Sequence, residues 1–198
     1  MLRINDCLLA VSLLIFLNGC STIVGSINSG PVEINPTDRT WGQWMDDQSI
    51  ETVASVNIAK ADPALKKSRI KAISFNDTLL LIGQVPNERL KELAGQTAMK
   101  IKQVKQVYNE LTIGDNIDLL LQSNDALLTA KIKSALISSD DVTADNIKVY
   151  TENATVYLMG LATPATAQIV VNIVRNITGV KKVVKVFEYL PDSLLTTK

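Results

Sequence analysis

The fold of this chain is decided by a stretch that occurs twice: IKAISFNDTLLLIG at residues 70–83 and IKVYTENATVYLMG at residues 147–160. At an offset of 77 residues, Ile, Lys, Asn, Thr, Leu and Gly are identical at equivalent positions. The same order of predicted elements surrounds both stretches. The chain is therefore predicted to contain two copies of one small domain.

Each repeated stretch is predicted to be a pair of strands joined by a short polar turn. The turns fall at Asn76-Asp77 in the first copy and at residues 152–154 in the second. The second strand of each pair, 79–85 or 155–161, is strongly apolar, which is typical of a strand near the middle of a sheet.

One glycine interrupts each of these apolar strands, Gly83 in the first copy and Gly160 in the second. Glycine inside a strand permits another part of the backbone to approach closely. We therefore expect both glycines to be structural, and a larger side chain at either position to clash.

Two helices are predicted in each copy. Asp46-Asp47 and Asn124-Asp125 are expected to cap the first helix, and Pro86-Asn87 and Thr163-Pro164 to open the second. In the second copy the apolar residues of the first helix recur on one face, namely Leu128, Ile132, Ala135 and Leu136.

A last strand follows the second helix of each copy, and a helical crossover makes it parallel to the strand before the helix. The predicted fold class is α+β, with two tandem units, each a three-stranded mixed sheet packed against two helices in the order αββαβ. The link between the units is short, so we expect them to contact each other. The predicted boundaries are 46–113 for the first domain, 114–123 for the linker, 124–190 for the second domain and 191–198 for the tail.

The first 19 residues have the layout of a secretory signal, with Arg3 near the start and an apolar core too short to span a bilayer. The sequence Leu17-Asn18-Gly19-Cys20 that closes it resembles the lipobox of bacterial lipoproteins, in which the Cys is acylated and becomes the first residue. This predicts a lipid attached at Cys20. A plain cleaved signal with an incidental Cys is the alternative. By the same resemblance, Ser21 rather than Asp after the Cys implies transfer to the outer membrane.

Residues 20–45 are predicted to be a lipidated, flexible tether, because they are rich in Ser, Gly, Asn and Pro. Trp41 and Trp44 lie near its end. They are candidates for interfacial membrane anchors, but packing against the first domain is the favoured interpretation.

Composition argues against several function classes. Basic and acidic side chains are balanced at 20 each, so a nucleic-acid partner is not expected. The chain has no His, the usual general base. The carboxylates of Asp140-Asp141 and Asp145 fit no EF-hand spacing and indicate a solvated turn instead. We therefore predict no enzyme activity, no metal, and no cofactor beyond the covalent lipid on Cys20.

Several segments carry a family resemblance: the Leu-Leu-Ile-Gly and Leu-Met-Gly strands, the Asn124-Asp125 helix start and the closing Gly179-Val180-Lys181-Lys182-Val183. They resemble BON domains, and residues 107–110 and 151–153 belong to the match. The whole chain, lipobox included, resembles the dual BON-domain outer-membrane lipoproteins. The resemblance implies association with phospholipid, support of outer-membrane integrity from the periplasmic side, and concentration at the division site. BON domains as a class are binding modules without a known catalytic centre.

The residues themselves also indicate a membrane-facing surface. In the predicted helix from Asp125 to Ile137, Leu127, Lys131 and Ser134 lie beside the core face, with Lys133 nearby. An exposed Leu beside ammonium groups is typical of a surface that touches anionic headgroups. An ordinary solvated helix face is the alternative, and the residues by themselves favour neither interpretation. The predicted phospholipid-binding residues are Leu127, Leu128, Lys131, Lys133 and Ser134.

Two classes of function follow. The first is an envelope protein that binds an anionic phospholipid membrane through its second domain. The second is a protein-binding adaptor, whose sheet edges or exposed helix face dock an outer-membrane assembly or peptidoglycan-associated partner. The sequence leaves the oligomeric state open.

Overall fold

The computed structural model describes residues 40–139, 142 and 146–190. The predicted signal segment, Cys20, most of the tether and the tail lie outside these residues. So do Asp140, Asp141 and Asp145.

The predicted α+β fold is confirmed, and the order αββαβ is present in both copies, with one short helix in the first copy that was not predicted. The first copy contains α1 Trp41–Ala61, α2 Pro63–Lys67, β1 Arg69–Phe75, β2 Thr78–Val85, α3 Glu88–Met99, β3 Gln106–Asn109 and β4 Thr112–Ile113. The second contains α4 Leu119–Ile137, β5 Ile147–Glu152, β6 Thr155–Ala162, α5 Pro164–Arg175 and β7 Lys182–Tyr189.

Each sheet has its apolar strand in the middle. β1 is antiparallel to β2, and β5 to β6, as expected from the tight turns. β3 and β4 both pair with β2 in parallel, and β7 pairs with β6 in parallel. In the first copy the predicted last strand is thus split into two pieces, whereas in the second it is continuous.

The first helix of each copy begins earlier than predicted. Thr40 caps α1, with its hydroxyl accepting a hydrogen bond from the backbone N–H of Gln43. Asp118 caps α4, accepting from the N–H of Leu121 at 2.8 Å. Residues 41–45 and 119–123, assigned from the sequence to the tether and the linker, are therefore helical. Thr and Asp are good N-caps at these upstream positions, and the aspartates expected to be caps have another task.

That task is to hold the turn between the first two strands. Asp47 is buried and accepts hydrogen bonds from the Ser74 hydroxyl at 2.6 Å and the Asn76 N–H at 3.1 Å. In the second copy, Asp125 accepts from the N–H groups of Asn153 and Ala154 at 2.7 and 2.9 Å. Both turns contain non-glycine residues with positive φ. A buried carboxylate on the first helix thus satisfies the backbone of a strained turn in each domain.

Each sheet is covered on one face by its own helices. In the first domain Leu79, Leu81 and Val85 of β2 point into a core with the buried faces of α1 and α3. The matching core of the second domain joins β6 to α4 and α5. The buried positions of α1 are Asp47, Ile50, Ala54 and Ile58, and those of α4 are Asp125, Leu128, Ile132 and Leu136, which repeats the same spacing.

The other faces of the two sheets pack against each other. This explains why β2 and β6 are apolar on both sides, since their alternate residues enter two different cores. The expected contact between the domains is therefore present, and it is a sheet-on-sheet interface. Its buried core consists of Ile73, Phe75, Leu80, Ile82, Tyr157, Met159 and Val186.

A buried carboxylate closes one end of this interface. Glu152, at the end of β5, is only 4% exposed. It forms a salt bridge with Arg69, accepts a hydrogen bond from the side-chain amide of Gln84 at 2.9 Å, and lies 3.5 Å from the Lys71 ammonium. All three partners belong to the first domain.

The opposite end of the interface has its own polar contacts. Lys148 donates to the backbone carbonyl of Ser74 at 2.7 Å and lies 3.5 Å from the Glu51 carboxylate of α1. The amide of Asn76 donates to Glu188 at 2.6 Å. β1 and β5 therefore run antiparallel across the interface, and the two strand turns lie at opposite ends of the paired sheets.

The two strand glycines occupy the close approaches expected of them. A Cβ placed on Gly83 would lie 1.9 Å from the carbonyl oxygen of Arg69, and one on Gly160 would lie 2.1 Å from that of Asn146. Both have positive φ, at 125° and 153°. Neither position accepts a side chain without movement of the neighbouring strand.

Gly83→Ala and Gly160→Ala should each lower the free energy of unfolding by at least about 3 kcal/mol, because steric clash adds to backbone strain. Gly42→Ala is the matched control. It lies in the first turn of α1, where an added Cβ meets only the Thr40 hydroxyl at 3.8 Å, so a gain of about 0.5 kcal/mol is expected. Urea unfolding measures the free energy of unfolding of all three variants. Equal values for the three would contradict the explanation that Gly83 and Gly160 lie at close backbone approaches.

Glu152→Gln should lower the free energy of unfolding by about 2 to 3 kcal/mol, because it leaves the mostly buried guanidinium of Arg69 without its carboxylate and also removes the partner of the half-exposed Lys71. Arg89→Ala is the control, since it breaks an ion pair with Asp62 in which the Arg is exposed. That change should cost less than about 1 kcal/mol. If denaturant titration finds the two losses equal, the Glu152 cluster does not stabilise the interface.

Tyr157 supplies a pH test of the same interface. Burial raises the pKa of its phenol to about 12, and the carboxylates of Glu110 and Glu152 act in the same direction. The unfolded pKa is about 10, so this stabilisation is complete below pH ~10 and is lost as the pH rises towards ~12. Over that window wild type should lose about 2 kcal/mol more stability than Tyr157→Phe. Identical pH profiles for the two proteins would contradict this placement of Tyr157.

Candidate functional site

A stripe of exposed residues runs along α4. Its members are spaced at i, i+4, i+7, i+11 and i+14, which places them on one side of the helix. All are exposed, and Leu127 at the centre is 63% exposed. We call this surface the α4 stripe, and it consists of Leu120, Asn124, Leu127, Lys131 and Ser134.

An open groove of about 330 Å³ lies beside the stripe. Its walls are the N-terminal half of α4, the strand turn at Asn153-Ala154 and the loop before β7. Leu121, Leu127 and Leu128 supply apolar lining, and Lys131 and Lys181 supply two ammonium groups.

The local fold keeps the groove in shape. Asp125 ties α4 to the strand turn through its two backbone hydrogen bonds. The N–H of Lys181 donates to the carbonyl of Ala154 at 2.9 Å, which holds the loop against the same turn. Gly179 has a φ of 107°, and a Cβ there would lie 3.5 Å from a methyl group of Leu128. The groove is therefore built from backbone held by hydrogen bonds.

The structure brings together only some of the predicted binding residues. Leu127 and Lys131 both belong to the stripe and line the groove, and Ser134 continues the stripe. Leu128 is buried and belongs to the helix–sheet core, so it reaches the groove only as part of its lining. Lys133 is exposed but, two residues along a helix from Lys131, points to a different side.

Sequence reasoning missed Leu119, Leu120 and Leu121, which were assigned to the linker. They form the first turn of α4 and are exposed. The available signal was Asp118, a good N-cap directly before an apolar run. Lys181 was also missed, because only the tertiary fold brings the loop before β7 next to α4.

The expectation that the two tryptophans pack against the first domain is wrong for Trp41, which is 79% exposed. Trp44 is 41% exposed, so it is partly covered. Because α1 begins at Trp41, both rings lie on its first turn.

Two further properties concern the described residues alone. Within residues 40–139, 142 and 146–190, no helix is both long enough and apolar enough to cross a bilayer. Over the same part of the chain, no three His, Cys, Asp or Glu side chains group as ligands for a metal ion.

Comparison with known proteins agrees with the repeated fold. The BON domain family matches residues 46–115 and 124–191, which together cover more than half of the chain. The chain is 37% identical over 176 residues to the outer membrane lipoprotein DolP of Haemophilus influenzae, covering 89% of this chain and 91% of that protein. It is 36% identical over 156 residues to the 21 kDa hemolysin of Actinobacillus pleuropneumoniae, covering 78% and 80%.

These matches define the class first: the chain belongs to the BON-domain proteins, with two BON domains in tandem. Within that class it is a dual BON-domain protein of the DolP type, similar to that outer membrane lipoprotein over most of both chains. The C-terminal domain of CdsD, from the type III secretion system of Chlamydia trachomatis, covers 78% of this chain at 16% identity. Its TM-score of 0.31 is too low to bear on fold or function.

Proposed function

We propose that this protein is a non-enzymatic lipoprotein, anchored in the outer membrane by a lipid on Cys20 and facing the periplasm, that binds anionic phospholipid through its second BON domain. By this contact it supports outer-membrane integrity. The further expectation of concentration at the division site is supported by the family resemblance alone.

The observation that carries the proposal is the composition of the α4 stripe and groove. Exposed Leu side chains lie next to the ammonium groups of Lys131 and Lys181 on one surface. Apolar side chains that enter the headgroup region beside cations that meet phosphate are the elements of interfacial membrane binding.

Helix α1, the counterpart of α4 in the first domain, lacks this arrangement. The positions of α1 that match Leu127, Lys131 and Ser134 of α4 are Ser49, Val53 and Val56. The first basic residue of α1 is Lys60, in its last turn. Lipid contact of this kind is therefore proposed for the second domain.

Magnitudes explain why an anchor is needed. Each lysine near an anionic surface contributes about 1 kcal/mol, and a Leu that becomes buried contributes roughly 1.5 to 3 kcal/mol. A surface with so few contacts binds a membrane weakly by itself. A tether to the same bilayer raises the effective concentration of the domain, so weak contact suffices.

Leu127→Ala with Lys131→Glu should weaken binding of the chain from Ser21 onward to anionic vesicles by about tenfold or more. One lysine contributes about 1 kcal/mol and tenfold corresponds to about 1.4 kcal/mol. Vesicle flotation at low and moderate salt measures the effect, and binding to zwitterionic vesicles through this surface should be weak throughout.

Met99→Ala with Lys100→Glu is the matched control, because it also changes an exposed apolar side chain and a lysine, but in the first domain. It should leave flotation with anionic vesicles nearly unchanged. The proposal fails if both double variants bind like wild type, or if wild type does not float at all. Capture of an envelope protein that survives the α4 substitutions, without vesicle binding, would support the adaptor function instead.

A further inference from the structure

A second exposed apolar surface lies on the first domain, at the start of α1. It consists of Trp41, Trp44 and Met45, which are 79%, 41% and 57% exposed. The two indole rings pack edge to face, with centroids 5.3 Å apart and planes inclined by 70°. We call this surface the tryptophan patch.

The patch is held in place by hydrogen bonds. The Thr40 hydroxyl accepts from the Gln43 N–H, and the Gln43 side chain accepts in return from the Thr40 N–H at 2.9 Å. The same Gln43 side chain donates to Asn76 in the strand turn at 3.4 Å. A capping box of this kind fixes the first turn of a helix, so the aromatic surface is displayed on a structured turn of the domain.

The chemistry of the patch favours a bilayer interface. Trp presents a large apolar ring with one N–H donor, and this amphipathic character enriches it at the level of lipid headgroups. Residues 40–45 carry no charged side chain, with Arg39 before them and Asp46 after them in the sequence. The apolar contact of the indole rings themselves therefore needs no anionic lipid.

The position of the patch along the chain favours the same occupant. Only about 20 residues separate Trp41 from Cys20, and a chain of that length spans at most about 70 Å even when fully extended. If Cys20 carries a lipid, α1 is the described helix nearest to that anchor along the chain. The patch would then meet the surface of that bilayer at high effective concentration.

The patch is separate from the α4 stripe. Gln43 ties it to the strand turn of the first domain, where Asn76 meets Glu188 of β7. The groove beside α4 lies by the strand turn of the second domain, where Glu152 meets Arg69 and Gln84. The two surfaces are thus at opposite ends of the paired sheets, and each can be altered without touching the other.

We propose that the tryptophan patch is a second membrane contact, in which Trp41, Trp44 and Met45 insert into the headgroup region of the bilayer that holds the lipid on Cys20. This proposal depends on the proposed function in one respect only, namely that a lipid on Cys20 anchors the chain. Unlike the α4 stripe, this contact does not select for anionic lipid, and it holds the first domain at the membrane surface.

Indole fluorescence tests the proposal directly, because Trp41 and Trp44 are the only tryptophans of the chain. The acylated mature protein is reconstituted into zwitterionic vesicles that contain a nitroxide-labelled phospholipid. Emission should shift to shorter wavelength and be quenched by a nitroxide placed near the headgroups. Trp41→Phe and Trp44→Phe each leave one indole, and both variants should remain quenched.

The control is Leu127→Ala with Lys131→Glu in the same acylated protein. Its indole quenching should equal that of wild type, even though its selectivity for anionic lipid is lost. The indole quenching is therefore expected even if the α4 stripe proves not to bind anionic lipid. If Cys20 proves to be unmodified, the anchor has failed, and the same chain mixed with vesicles still tests the patch by the same quenching.

Two results overturn the proposal. One is emission that stays at the wavelength of water-exposed indole and is quenched by aqueous iodide but not by labelled lipid. The other is a blue shift without nitroxide quenching that disappears when the protein is diluted in the vesicles. That second result would assign the patch to contact between two copies of the chain.

Discussion

The structure depends on the packing of two sheets against each other. β2 and β6 place alternate residues into a helix-side core and into the interface between the domains, so neither domain completes its burial alone. Glu152, buried and surrounded by side chains of the first domain, fixes the alignment at one end, and Lys148 does so at the other. An apolar centre with a buried ion pair at its edge favours one relative orientation of the domains, because any shift leaves a charge without its partner.

Because this interface fixes the orientation of the two domains, it also fixes the relative positions of the two candidate membrane surfaces. The α4 stripe and the groove beside it combine apolar side chains with two lysines and suit anionic lipid, whereas the three residues of the tryptophan patch are uncharged and suit any bilayer interface. They lie at opposite ends of the paired sheets. A lipid on Cys20 would supply proximity, the patch would hold the first domain at the surface, and the stripe would supply lipid selectivity.

Much of the fold could be predicted from the sequence, since the repeat, the turn residues and the strand glycines are local signals. Asp47 and Asp125 show where local reasoning failed. They resemble N-caps, but their carboxylates bind the strand turns, and the helices start at Thr40 and Asp118 instead. The groove could not be predicted, because Lys181 reaches α4 only through the fold. The exposure of Trp41 and Trp44 likewise depends on which face of α1 meets the core. Leu127 and Lys131 could be predicted from the sequence, because helical spacing alone places them on one side of α4.

The sheet-on-sheet interface is the central claim, and methyl-resolved nuclear Overhauser contacts in solution test it most directly. The account predicts contacts between methyl groups of the first domain, on Ile73, Leu80 and Ile82, and those of the second, on Met159 and Val186. It also predicts that both domains tumble with one rotational correlation time. Independent tumbling of the two domains, with no contacts between these two sets of methyl groups, would contradict it.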